Sequence, residues 1–305
     1  MAEADARAAN GMARVSLSAA RRPRRRIRDG SAARGFVFLA ILIVLAAIFL
    51  FPLVWMLVTS LRPTAELYRY PPTIIPREIS LGNYVYVLTQ VPDFGRYFLN
   101  SIVVTAATVV LVVLSSMLGG YAFGIRQFRG KNGLFLAILF ILGVPYIMYL
   151  IPIYLMEQQL HLINSWIGLI LPYTALELPW GLLIMRGAFE TIPKDMQDAA
   201  VIDGCGEFRM WAQVLVPITR PALATTTIII FVFAWQEFMF ASTLMTSNTW
   251  QTLPVGVAFI KNELQSLIMG NIGAMVVMTI VPVLAVFLAF RSFFIQGLSE
   301  GMLKE

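Results

Sequence analysis

One cysteine and one histidine in 305 residues remove several kinds of chemistry at the outset. Cys205 alone excludes an internal disulfide and any cysteine-cluster metal site, and His161 alone removes most zinc chemistry. Charge is scarce too: Asp, Glu, Lys and Arg make up 13% of the chain, against about 25% in soluble domains. A G-x-x-x-x-G-K-[ST] phosphate loop is missing, since Gly130-Lys131-Asn132 does not fit the pattern. Any nucleotide-driven work must therefore draw its energy from another chain. What the sequence has in abundance is apolar residues, 58% of the total, gathered into long runs. A bilayer core about 30 Å thick needs roughly 20 such residues per helical crossing, and several runs reach that length.

Six spans are expected, at about 36–61, 100–124, 134–154, 166–185, 222–246 and 271–294. The first run far exceeds a signal-peptide core of roughly 7–15 residues and is expected to be retained. Pro145, Pro172, Pro179 and Pro282 lie inside spans, where neighbouring groups can satisfy the freed carbonyls and kinks are expected. Before the first span, residues 1–35 carry nine arginines. This leader is expected to be cytoplasmic and disordered, an orientation signal and a contact for anionic membrane lipid rather than for nucleic acid. Its acid-poor composition also fits an organellar transit peptide. Counted over alternate connections, Lys and Arg number eighteen on one side and five on the other. Both termini are therefore expected in the cytoplasm.

The longest connection on the basic side, 186–221, reads RGAFETIPKDMQDAAVIDGCGEFRMWAQVLVPITRP. Pro193 suits a first helical turn with Thr191 as its cap. A short helix over 194–203 would place Met196, Ala199 and Ala200 on one face. Gly204 is placed to end it in a left-handed turn. A second amphipathic segment, 207–216, runs to Pro217.

This loop resembles the EAA loop of ABC importer permeases, E-A-A-x3-G-x9-I-x-L-P. Here Asp198-Ala199-Ala200, Gly204, Val214, Val216 and Pro217 keep every spacing, with Asp for Glu and Val for Ile and Leu. Ile192, Pro193 and Asp203 complete the fuller form typical of sugar importers. The likeness to maltose-type permeases continues through Asn83-Tyr84, Asn100-Ser101, Ile151-Pro152-Ile153-Tyr154, Gly168-Leu169-Ile170-Leu171 and Trp235-Gln236-Glu237-Phe238. The ending Gly297-Leu298-Ser299-Glu300-Gly301-Met302-Leu303-Lys304 is similar to that of MalG-like subunits.

The resemblance implies an all-α integral membrane protein of the type I importer permease fold: a six-helix domain over 36–296 and a cytoplasmic tail, 297–305. It implies half of a heterodimer, partnered by a MalF-like second permease, two ABC ATPase subunits and an extracytoplasmic sugar-binding protein in a bacterial inner membrane. ATP and Mg would be used by the ATPases, with no cofactor, metal or catalytic residue in this chain. Coupling to the ATPase would fall to Asp198, Ala199, Ala200, Asp203, Gly204, Pro217 and Lys304. Glu177 and Glu237 sit within spans, where a carboxylate is costly unless it faces a cavity or partner. With Trp235, Trp180 and Tyr173 they are candidates for the sugar path, Glu237 being better suited to a structural role. Three other readings compete. A non-sugar ABC importer, for glycerol phosphate for example, differs only in pocket detail. A proton-coupled secondary transporter would need a repeat and paired ionisable groups, and a membrane enzyme would need a convergent constellation; neither is evident in the sequence.

Overall fold

The computed structural model describes residues 30–69, 76–263 and 268–302, with side chains described for 35–69, 76–260 and 268–293. The expected disorder of the leader before residue 30, and Lys304 with the rest of 303–305, lie outside the described residues. By contacts the chain divides into two units, 1–54 and 55–305. The described part of the first is the N-terminal portion of helix α1, Gly30–Ser60. Everything below concerns the second.

The described residues are mostly helical and contain no strand. In hydrocarbon this is forced, because every backbone polar group must be satisfied within its own segment. After α1 come α2 (Gly82–Gln90), α3 (Phe94–Gly124), α4 (Lys131–Leu139), α5 (Leu150–Gln159), α6 (Ile167–Glu190) and α7 (Lys194–Ile202). Then follow α8 (Arg220–Gln236), α9 (Met239–Leu244), α10 (Leu253–Glu263) and α11 (Met269–Met302). Among the described residues four helices are long and apolar enough to cross a membrane: 35–60 of α1, α3, α6 and 269–293 of α11. Two bent pairs would raise the number to six.

The bent pairs differ from the expected spans. The third was read as one helix over 134–154, but it is two pieces, Lys131–Gly143 and Tyr146–Gln159, meeting at 99°. Pro145 sits at the joint and supplies no N–H, and Val144 before it is extended, as the residue preceding a proline tends to be. The fifth was read as 222–246, yet α8 ends at Gln236, Glu237 is extended, and α9 starts afresh. At its other end α8 meets the 207–218 segment at 76°. Pro172 and Pro179, by contrast, lie inside the unbroken α6.

α3 and α6 form the packed centre, with α8 laid against both and against α11. The two backbones come close at Gly120, where a Cβ would stand 2.7 Å from the Cβ of Met185 and 3.0 Å from the backbone N of Arg186. Only a hydrogen fits there. Three polar clamps fasten the ends. Asn83 on α2 donates through Nδ2 to the carbonyls of Ser60 (2.9 Å) and Arg62 (2.8 Å), satisfying groups that the end of α1 leaves free. Asn100 on α3 donates to the carbonyls of Thr249 (3.1 Å) and Gln251 (2.9 Å) and accepts from Trp166 Nε1 (3.0 Å). Ser101 Oγ accepts from the N–H of Leu253 at 2.8 Å, at the start of α10.

Candidate functional site: the 186–221 loop and the broken third span

The loop after α6 folds into a small closed unit. α7 begins at Lys194 with Pro193 at its N-cap position, where no side chain caps it. The expected Thr191 cap is not made; its hydroxyl instead donates back to the carbonyl of Ala188 at 2.9 Å, at the end of α6. At the far end Gly204 adopts φ +75°. The N–H of Cys205 donates to Ala200 O and that of Gly204 to Val201 O, both at 3.0 Å. This pair of bonds is a Schellman closure, which satisfies the last carbonyls of α7. The chain then passes through a helical turn at Glu207–Arg209, a π turn at Met210–Leu215 and a further turn at Val216–Ile218. The expected segment over 207–216 is thus one continuous helical stretch, 207–218, with a π turn in its middle.

The face expected to carry Met196, Ala199 and Ala200 together is divided. Ala200 is buried, whereas Ala199 and Met196 are exposed. Ala200 joins Ile192, Met210 and Leu215 in a cluster with Met117 and Tyr121 of α3 and Met185 and Phe189 of α6. The loop is therefore seated on the ends of the two central helices. Its outward side is apolar: Ile202 is 85% exposed, Phe208 74% and Val201 61%. The carboxylates of Asp198 and Asp203 are exposed beside them and make no bond among the described residues. Pro217 is half-buried within the last turn.

Sequence reasoning missed the brace on this unit. Arg126, just beyond α3, pairs with Glu207 and lies 5.4 Å from the ring centroid of Tyr121. The Tyr121 hydroxyl donates to Glu207 Oε1 at 3.4 Å. The only signal was opposite charge in two loops 81 residues apart in the chain.

The structure separates the five residues proposed for a solute path. Trp235 is 2% exposed; its Nε1 donates to the carbonyl of Thr279 at 3.0 Å, and its ring stacks on Phe231. Glu237 is 7% exposed and caps α9, accepting from the N–H groups of Phe240 (2.8 Å) and Ala241 (3.0 Å) and from the hydroxyl of fully buried Tyr173. These three are committed to packing and to the break after α8. Glu177 and Trp180 stand apart from them. Both line a cavity of about 390 Å³ whose opposite wall is the joint of the broken third span, Ile141 to Tyr146.

The fold and this geometry agree with what comparison with known proteins finds. The family described as binding-protein-dependent transport system inner membrane component matches residues 116–298. The arabinooligosaccharides transport system permease protein AraQ of Halalkalibacterium halodurans is 33% identical over 276 residues, 88% of this chain and 94% of that protein. The sulfoquinovosyl glycerol transport system permease protein SmoH of Agrobacterium fabrum is 35% identical over 255 residues, 84% of this chain and 89% of its own length. Among solved structures, a bacterial ABC transporter involved in the import of the acidic polysaccharide alginate superposes with TM-score 0.74 at 23% identity. The match covers 87% of this chain and 98% of that one, and it establishes the shared fold. The chain therefore belongs to the binding-protein-dependent transport system inner membrane component family, the permeases of ABC importers.

Proposed function

We propose that this chain is a carbohydrate permease of the MalG-like type, forming half of a translocation pathway with a second permease. In this reading the chain crosses six times, the bent 131–159 pair counting as one crossing and α8 forming the core of the fifth, with both termini and the 186–221 loop in the cytoplasm. Two ATPase subunits hydrolyse ATP with Mg, and an extracytoplasmic binding protein delivers the sugar. The assignment to carbohydrate draws on the transport systems named for AraQ and SmoH.

One observation carries the coupling assignment. A loop with a wholly solvent-facing existence would not present Val201, Ile202 and Phe208 on a unit closed by a Schellman motif and seated on α3 and α6. An exposed apolar patch on an ordered base marks an interaction surface, and the free carboxylates of Asp198 and Asp203 can accept charge-assisted bonds from a partner. Docking of an ATPase on this patch would move the ends of α3 and α6 together. Lys304 and the tail would add a second contact.

The test is cross-linking in the assembled importer. With Cys205→Ser as background, an Ile202→Cys chain should form a disulfide with a cysteine scanned along the ATPase surface, and ATP should alter its yield. Labelling of Ile202→Cys from outside intact cells by an impermeant thiol reagent would overturn the proposal. So would purification of a transport-competent complex that holds no ATPase.

A further inference from the structure

The cavity at the broken third span holds a feature that nothing above explains. Glu177 is 5% exposed, lies on α6 and accepts no hydrogen bond among the described residues. A buried carboxylate without a donor is costly even in a soluble protein, and facing lipid it is costlier still. Position makes the problem acute. Glu177 falls ten residues into a 24-residue helix, about 15 Å from the start at 1.5 Å per residue. Across the cavity, the chain is non-helical around Val144 and Pro145, midway through the bent pair 131–159. Irregular backbone at membrane depth is tolerated only where protein buries it or where it lines a water-filled cavity. Two costly features thus line one cavity, and water in the space between them would relieve both. Its volume, about 390 Å³, lies within the roughly 300–1,000 Å³ of small-molecule sites. Trp180, one helical turn from Glu177, is 46% exposed and offers a ring face at the mouth.

We propose that Glu177 is a specificity-determining residue: the cavity passes neutral, hydroxyl-rich solutes, which give the carboxylate its missing hydrogen bonds, and rejects anionic ones. This rests on the importer reading above and narrows its substrate class. An anionic sugar entering here would meet the Glu177 carboxylate with no described Lys or Arg side chain lining the cavity to offset it. A neutral sugar donates hydroxyls to the carboxylate and lays a C–H face on Trp180, the mixture of aromatic surface and a few polar groups found in ligand sites. The prediction sets this permease apart from an importer of an acidic polysaccharide, although the folds agree.

The experiment needs no knowledge of the sugar. In the purified importer with Cys205→Ser as background, Trp180→Cys and, separately, Val144→Cys serve as reporters. Each is reacted at pH 8 with a cationic and an anionic methanethiosulfonate, without nucleotide and after vanadate trapping, and the rates are normalised to a free thiol. A unit charge about 6 Å away, one helical turn along, shifts the cation-to-anion ratio about tenfold even with water's full screening. We expect both reporters to react in at least one state, the Trp180→Cys ratio to be raised about tenfold, and Glu177→Gln to return it to the free-thiol value. Equal normalised rates, or reporters that stay unreactive in every state, overturn the proposal. Solute transport by a preparation that carries no ATPase subunit, with the reporter selectivity retained, would instead overturn the importer reading and leave the cavity's charge preference standing.

Discussion

Gly204 offers the sharpest test of the coupling loop, because the penalty for replacing it can be assigned to one cause. A Cβ built there meets nothing within 4 Å, while φ is +75°. Steric crowding is thus excluded and only backbone conformation remains. An L-residue held in the left-handed region costs about 1–2 kcal/mol, with Asn among the more tolerant types. Since 1.4 kcal/mol is a factor of ten in an equilibrium, Gly204→Ala should reduce the population of correctly closed loop by about five- to thirtyfold relative to open forms. Gly204→Asn should cost less and Gly204→Val more. Gly204→Pro is different in kind. Its φ is fixed near −65°, and it deletes the N–H that donates to Val201 O. The native closure is then unattainable rather than merely less populated.

The assay is ATP hydrolysis by the reconstituted importer, stimulated by its loaded binding protein, alongside detergent-solubilised yield and thermal unfolding of the chain. Stimulation should fall in the order Gly, Asn, Ala, Val, Pro, and excess ATPase subunit should rescue Ala by mass action but leave Pro inactive. Unfolding temperature should move little, since the loop is a surface unit. Full stimulation in Gly204→Pro, or an order that follows side-chain volume alone with Pro near Ala, would refute the reasoning.

Three further outcomes follow from the clamps. Asn100→Ala strands two carbonyls and the Trp166 N–H and should lower stability by about 2–3 kcal/mol; an unfolding temperature within a degree of the parent's would contradict this. Glu237→Ala uncaps α9 and unpairs Tyr173, for a loss of about 3 kcal/mol, and Glu237→Gln, which keeps an acceptor, should lose about a third as much. Arg126→Ala breaks a visible ion pair, but its side chains are 43% and 62% exposed, so stability measured the same way should change by less than about 1 kcal/mol.

How much of this was legible in the residues depends on how far apart the interacting groups lie in the chain. The closure of α7 was readable because its parts, Ala200 to Cys205, are neighbours and glycine is the residue a left-handed turn selects. The role of Glu237 was left open because its anchor, Tyr173, is 64 residues away. Asn100 stood out only as half of a familiar pair, its partners being 149 and 151 residues distant. Proline was ambiguous for a further reason. Pro145 ends a helix, while Pro172 and Pro179 sit in one that continues. Their local chemistry is the same, and what differs is packing: both α6 prolines are buried, whereas Pro145 is exposed. Neighbouring elements can hold a helix together across a missing hydrogen bond, and that support is invisible in a linear reading.

The same packing indicates how a loop at one end of α6 can matter to a cavity halfway along it. Phe189 and Met185 anchor the helix in the cluster beneath the loop, and Glu177 lies twelve residues from Phe189, about 18 Å away at 1.5 Å per residue. Between them Gly120 brings the backbone of α3 against Met185 and Arg186 at distances that admit no side chain. Close-packed interfaces of this kind shift between discrete arrangements rather than deforming by degrees. A displacement imposed at Ile192 and Ala200 therefore cannot be taken up by bending α6 away from α3, and the pair must move as one body. The wall of the cavity opposite Glu177 belongs to the broken third span, which is not continuous across the joint at Pro145. Under the docking proposed above, the first wall would be driven as a rigid body against a jointed second one, which would change the cavity's opening. A pair of straight, fully packed helices could not do this.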